Sequence, residues 1–70
     1  MSVAVDWLTP QRAASRELRG VLFDLELTQR MVAQQMGISD QMLSDYMRCA
    51  RRWPTDFEQR FRDAVAELSK

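Results

Sequence analysis

The chain has 70 residues, ten of them basic and ten acidic, one cysteine and no histidine. A chain this short supports one small core, and a lone Cys49 without histidine excludes an internal disulfide and the Cys/His clusters that bind zinc. The first residues lack a basic head followed by an apolar run, and no stretch approaches the roughly 20 apolar residues that span a bilayer, so a cytoplasmic location away from membranes is expected. Leu, Met, Ala, Arg, Gln and Glu dominate over two glycines and two prolines, which favours helix throughout. Charge is uneven: residues 28–54 hold Arg30, Arg48, Arg51 and Arg52 against Asp40 and Asp45, whereas the flanking segments are each net negative by one.

Residues 1–9 form an apolar arm carrying Val3, Val5, Trp7 and Leu8. Thr9-Pro10 then reads as a helix start, with Thr as cap and Pro at the first helical position. Ala14, Leu18, Val21, Leu22 and Leu25 recur at intervals of three and four and predict one apolar stripe, with Arg12, Arg16, Glu17 and Arg19 off it. Thr28 predicts the cap of a second, two-turn helix with Val32, Ala33 and Met36 on its apolar face, ended by Gly37 in the left-handed conformation. Ser39 predicts the cap of a third helix, in which Met42, Leu43, Tyr46 and Met47 repeat the spacing. Arg48 to Pro54 reads as a loop. Thr55 and Glu58 then form the pattern of a capping box, opening a fourth helix with Phe57, Phe61, Ala64, Val65 and Leu68 on one face. These elements predict an all-α, compact bundle of four to five short helices in a single domain spanning residues 1–70, with a helix-turn-helix at 28–46 at its centre.

The segment from Thr28 to Tyr46 is the most informative. Ala33 is small where two helices approach, Gly37 permits a sharp turn, and Ile38 and Leu43 anchor the third helix, leaving its N-terminal end exposed. Leu27-Thr28-Gln29, Val32-Ala33, Met36-Gly37-Ile38-Ser39 and Leu43-Ser44 together resemble the lambda-repressor-like helix-turn-helix family of phage repressors and Cro proteins. With the flanking helices the resemblance covers residues 14–68. Glu26 and Cys49 stand where that family often has glycine, which leaves the shape of the turn after the first helix and of the exit from the third open; Met47 stands where an acidic residue is frequent.

The resemblance implies that the third helix enters the major groove of double-stranded DNA while the start of the second helix and the loop after the third hold the backbone. Ser39, Asp40, Gln41, Ser44 and Asp45 would then face base edges, Gln41 being best suited because its amide pairs bidentately with adenine. Gln29, Arg30, Arg48, Arg51 and Arg52 would contact phosphate. The residues themselves leave plainer roles open: solvated helix surface for Gln29 and Gln41, a favourable first-turn charge for Asp40, and an ion pair with Arg48 for Asp45. Trp53, Phe57 and Phe61 read as core or dimer packing, and Cys49 as an inert thiol. No nucleophile elbow, phosphate-cradling glycine loop or metal cluster is present, so neither catalysis nor a cofactor is expected. The expected function is a homodimeric transcriptional regulator, most often a repressor in such a family, on a palindromic operator. The competing expectation is a protein-interaction module, such as an antitoxin, antirepressor or phage accessory protein, that turns the same helices on a regulatory protein partner.

Overall fold

The computed structural model of the chain describes residues 7–70, and the apolar arm predicted at 1–9 lies outside them up to residue 6. Four helices follow in order: α1 (Leu8–Asp24), α2 (Gln29–Met36), α3 (Asp40–Met47) and α4 (Phe57–Leu68). All four contribute to one core of Leu18, Leu22, Val32, Ala33, Leu43, Met47, Phe57, Phe61, Ala64 and Val65, and α2 packs against both α3 and α4. Among the described residues no helix is long and apolar enough to cross a membrane.

Two helix starts differ from those the sequence predicts. α1 begins at Leu8, so that Trp7 to Thr9, assigned to the arm, belong to the helix and its cap, and Thr9 is not the capping residue. Pro10 is tolerated in the first turn because amides there have no intrahelical acceptor, and the Gln11 amide already donates to the Trp7 carbonyl at 3.2 Å. α4 begins at Phe57 without the capping box. The Phe57 amide closes a turn on the Pro54 carbonyl, the helix proper starts as the Arg60 amide reaches the Asp56 carbonyl, and the Glu58 carboxylate is drawn forward to Arg62 instead of back to Thr55. The inner caps follow the sequence: the Thr28 hydroxyl accepts from the Met31 amide and the Ser39 hydroxyl from the Met42 amide.

The apolar stripe of α1 also differs in detail. Leu18 and Leu22 are buried and Val21 packs at the core's edge, but Leu25 lies beyond the helix and is 46% exposed. Toward the N-terminus the stripe continues in polar residues, Gln11 and Ser15, which are buried. Their polar atoms are satisfied by the chain leaving α3. The Gln11 amide nitrogen donates to the Arg51 carbonyl at 2.7 Å while its oxygen accepts from the Trp53 amide at 2.8 Å, and the Ser15 hydroxyl donates to the Met47 carbonyl.

The exits of α1, α2 and α3 share one geometry. In each, a left-handed residue (Glu26 at φ 57°, Gly37 at 77°, Cys49 at 64°) lies just beyond the helix. Its amide bonds back three residues and the next amide bonds back five: Leu27 to Leu22, Ile38 to Ala33, Ala50 to Asp45. The turn after α1 and the exit from α3 therefore keep the shape that glycine favours although Glu26 and Cys49 occupy them. A side chain in this region costs about 1–2 kcal/mol, partly offset by the lower entropy of a non-glycine unfolded chain. Gly37→Ala, with open space around the added methyl, is expected to destabilise by about 1 kcal/mol. Glu26→Gly and Cys49→Gly are expected to be neutral or stabilising by up to about 1 kcal/mol. Urea unfolding of the three variants checks this, and a destabilised Cys49→Gly would show that the thiol's packing outweighs the backbone strain.

Candidate nucleic-acid interface

The first turn of α3 faces solvent. Asp40, Gln41 and Met42 are exposed, Ser44 and Asp45 are half-buried, and Leu43 and Met47 point into the core, so helical periodicity separates a polar outer face from the anchor. The Ser39 hydroxyl is engaged as the helix cap. Asp40 sits in the first turn, where a negative charge opposes the partial positive charge of the helix end, and lies 3.8 Å from the Arg30 guanidinium of α2. Gln29 opens α2 and is half-buried; Arg30 beside it is exposed.

Asp45 is the centre of a second cluster. Its Oδ1 accepts from Gln41 at 3.0 Å and from Arg48 at 2.8 Å, and its Oδ2 lies 3.7 Å from Arg51. The Gln41 amide, opposed by partial desolvation and then helped by Arg48 and Arg51, holds the Asp45 carboxyl below its ordinary value. The plainer role open to Asp45 is thus realised, and extended to a second arginine. Arg52, next along the chain, is exposed and joins no ion pair among the described residues.

The loop carrying Arg51 and Arg52 is fixed from both sides. Gln11 ties Arg51 and Trp53 to α1, and the Trp53 indole donates to the Tyr46 carbonyl at 2.8 Å. Trp53 also lies 4.6 Å from Phe57, which contacts Tyr46 at 4.9 Å and Phe61 at 6.0 Å between ring centroids, so the aromatics serve the core and its edge.

The structure therefore joins Gln41, Asp45, Arg48 and Arg51 in one cluster and Arg30 with Asp40 in another, while Ser39, Ser44, Gln29 and Arg52 flank them. Sequence reasoning missed the arginines of α1. Arg12, Arg16 and Arg19 recur at intervals of four and three and line, with Arg48, Ser15, Met47 and Cys49, a groove of about 270 Å³ between α1 and the exit of α3. The helical spacing was visible; that α3 ends against that face was not. The outer face of α4 is charged, since Phe57, Phe61, Ala64 and Val65 are spent in the core, and among the described residues the most exposed large apolar side chain is Phe23, 84% exposed in the last turn of α1. Among the described residues no three His, Cys, Asp or Glu side chains are grouped to hold a metal ion. Compared with protein-family models, with curated proteins and with solved structures, the chain matches none of them.

Two predictions follow from this geometry. Gln11→Ala leaves the Arg51 carbonyl and the Trp53 amide without their partner and is expected to cost about 2 kcal/mol in urea unfolding, with faster amide exchange across residues 51–53. Asp45 is held below its ordinary value in the folded chain, so the stability linked to its charge is complete above the unfolded carboxylate value of about 4 and disappears as pH falls through the lower folded value. An acid titration of stability is therefore expected to lose its lowest-pH component in Asp45→Asn; an unchanged acid limb would mean that the cluster adds nothing to the fold.

Proposed function

We propose that this chain is a sequence-specific double-stranded DNA-binding regulator, acting as a repressor and binding a palindromic operator as a homodimer. The observation that carries the reading is the arrangement around Gly37. Two short capped helices meet at a left-handed turn, the second presents Asp40, Gln41 and Met42 of its first turn to solvent, and the arginines Arg30, Arg48, Arg51 and Arg52 border it. Such an arrangement offers base edges Gln41, whose amide suits adenine, with Ser39, Asp40, Ser44 and Asp45 around it, and offers phosphates the arginines with Gln29. A two-fold pair would set two copies of α3 about 34–36 Å apart, one turn of DNA.

Zero net charge is the feature that this reading must accommodate. The pairing observed in the free chain supplies an account. Asp45 neutralises Arg48 and Arg51 until phosphates compete for them, and Asp40 does the same for Arg30, so binding exchanges internal for external ion pairs. The same pairing is also what a protein-interaction module would display, with Asp40 and Asp45 available to a partner's cations, and that remains the second reading.

A mobility shift on duplexes selected from a random library, at two salt concentrations, separates the two. Binding that weakens steeply with salt supports DNA recognition; no shift at low salt overturns it. Gln41→Ala is expected to cost about 1–3 kcal/mol on the selected site and to relax preference at one base pair. An equal loss on selected and scrambled duplexes would show that Gln41 reads no base.

A further inference from the structure

The groove between α1 and the exit of α3 has a composition that neither its packing nor the helix-turn-helix unit accounts for. Four arginines, Arg12, Arg16, Arg19 and Arg48, border it, and no carboxylate lines it among the described residues. In a chain with as many acids as bases this is a segregation of charge. Glu17, on the same helix, is turned to the other side, where it pairs with Arg62 of α4 at 2.6 Å, and Glu58 takes the same guanidinium at 3.0 Å.

The four arginines are not equally engaged. Arg19 donates to the Met47 carbonyl at 3.1 Å, together with Ser15, which satisfies the last turn of α3, and Arg48 is held by Asp45. Arg12 and Arg16 are exposed and, among the described residues, have neither an ion pair nor a side-chain hydrogen bond. Two guanidiniums one helical turn apart, with a third a turn further on, repel one another unless an anion lies between them. Their spacing favours an extended anion over a single small one: Arg12 to Arg19 spans about 10 Å of helix, longer than one phosphate, so an anion of repeated charge meets the row better than an isolated one. Position favours the same occupant. Arg48 belongs both to this groove and to the Asp45 cluster on α3, so the groove continues the basic border of the recognition face.

We infer that the groove lined by Arg12, Arg16, Arg19 and Arg48 is a phosphodiester-binding site through which α1 extends the contact with a nucleic-acid backbone beyond the helix-turn-helix unit. The inference rests on the proposed DNA-binding function and adds to it a site that α1 supplies. Arg12 and Arg16 act as phosphate donors, whereas Arg19 both closes α3 and faces the anion. Backbone contacts carry no sequence information, so the site raises affinity and salt dependence without altering specificity.

The test measures the salt dependence of binding to a selected and to a scrambled duplex for the wild-type chain, Arg12→Gln/Arg16→Gln and Arg12→Lys/Arg16→Lys, with thermal unfolding as the control for folding. The glutamine pair is expected to lower the slope of log affinity against log salt by about two on both duplexes, leaving their affinity ratio unchanged, because each lost phosphate contact retains its counterion. The lysine pair is expected to keep the wild-type slope and the wild-type melting temperature. A wild-type slope in the glutamine pair overturns the site and leaves the proposed function standing. Absence of duplex binding by the wild-type chain overturns both. If the glutamine pair instead loses binding to a polyglutamate peptide while its duplex slope is unchanged, the groove is a protein-docking surface and the inference falls.

Discussion

The Met47 carbonyl and the two residues of α1 that reach toward it organise the rest of the molecule. α3 is a helix of eight residues, too short to persist alone, and its exposed face adds to its anchoring only solvated ion pairs such as Asp40 with Arg30. Leu43 and Met47 hold it through the core, but its C-terminal carbonyls also require donors once they are turned toward α1. Ser15 and Arg19 supply them at Met47, and Gln11 does the equivalent for the following loop at Arg51 and Trp53. Buried polar groups with complete partners specify an alignment more narrowly than apolar contact does, since a displaced partner leaves both groups unsatisfied. The angle at which α3 is presented, and the position of the arginines after it, are consequences of that alignment.

Charge follows the same logic of position over total. The exposed face of α4 and the side of α1 turned toward it balance internally through Glu17, Glu58 and Arg62. The opposite side of α1, the exit of α3 and the following loop collect Arg12, Arg16, Arg19, Arg48, Arg51 and Arg52, with Asp45 as their internal counter-charge. Exposed pairs of this kind contribute little to folding and exchange readily. A net charge of zero therefore describes the chain's composition and leaves open the field at any one face.

The inner part of the fold was legible because its signals are local. Thr28, Gly37 and Ser39 each act within a few residues of themselves, and the apolar spacing of α2 and α3 needs nothing beyond the helix to be read. The outer starts were less so. Thr9 and Thr55 are suitable caps by type, but Pro10 tolerates an earlier start, and the turn from Pro54 to Phe57 together with Arg62 diverts Glu58. Gln11 and Ser15 could not be identified from type, since a polar residue on an amphipathic helix ordinarily marks the solvated side. Only the arrival of the chain after α3 makes their burial favourable. The arginine groove was hidden for the same reason: one wall is a helical repeat visible in sequence, and the other comes from some thirty residues further on.

The left-handed exits connect these points. All three turns require the same backbone, yet glycine is present only between α2 and α3. At Glu26 and Cys49 the strain persists because the surrounding contacts determine the turn: Leu27 packs against the core after the first, and the Gln11, Ser15 and Trp53 hydrogen bonds bracket the second. The Cys49 turn is thus held by the same clamp that shapes the basic loop, and it places Cys49 in the groove between Arg48 and the arginines of α1. Loosening the clamp would release that strain and displace the arginines together. The presentation of α3, the position of the loop and the form of the arginine groove accordingly rest on one set of hydrogen bonds, in which Gln11 and Ser15 reach partners more than thirty positions along the chain.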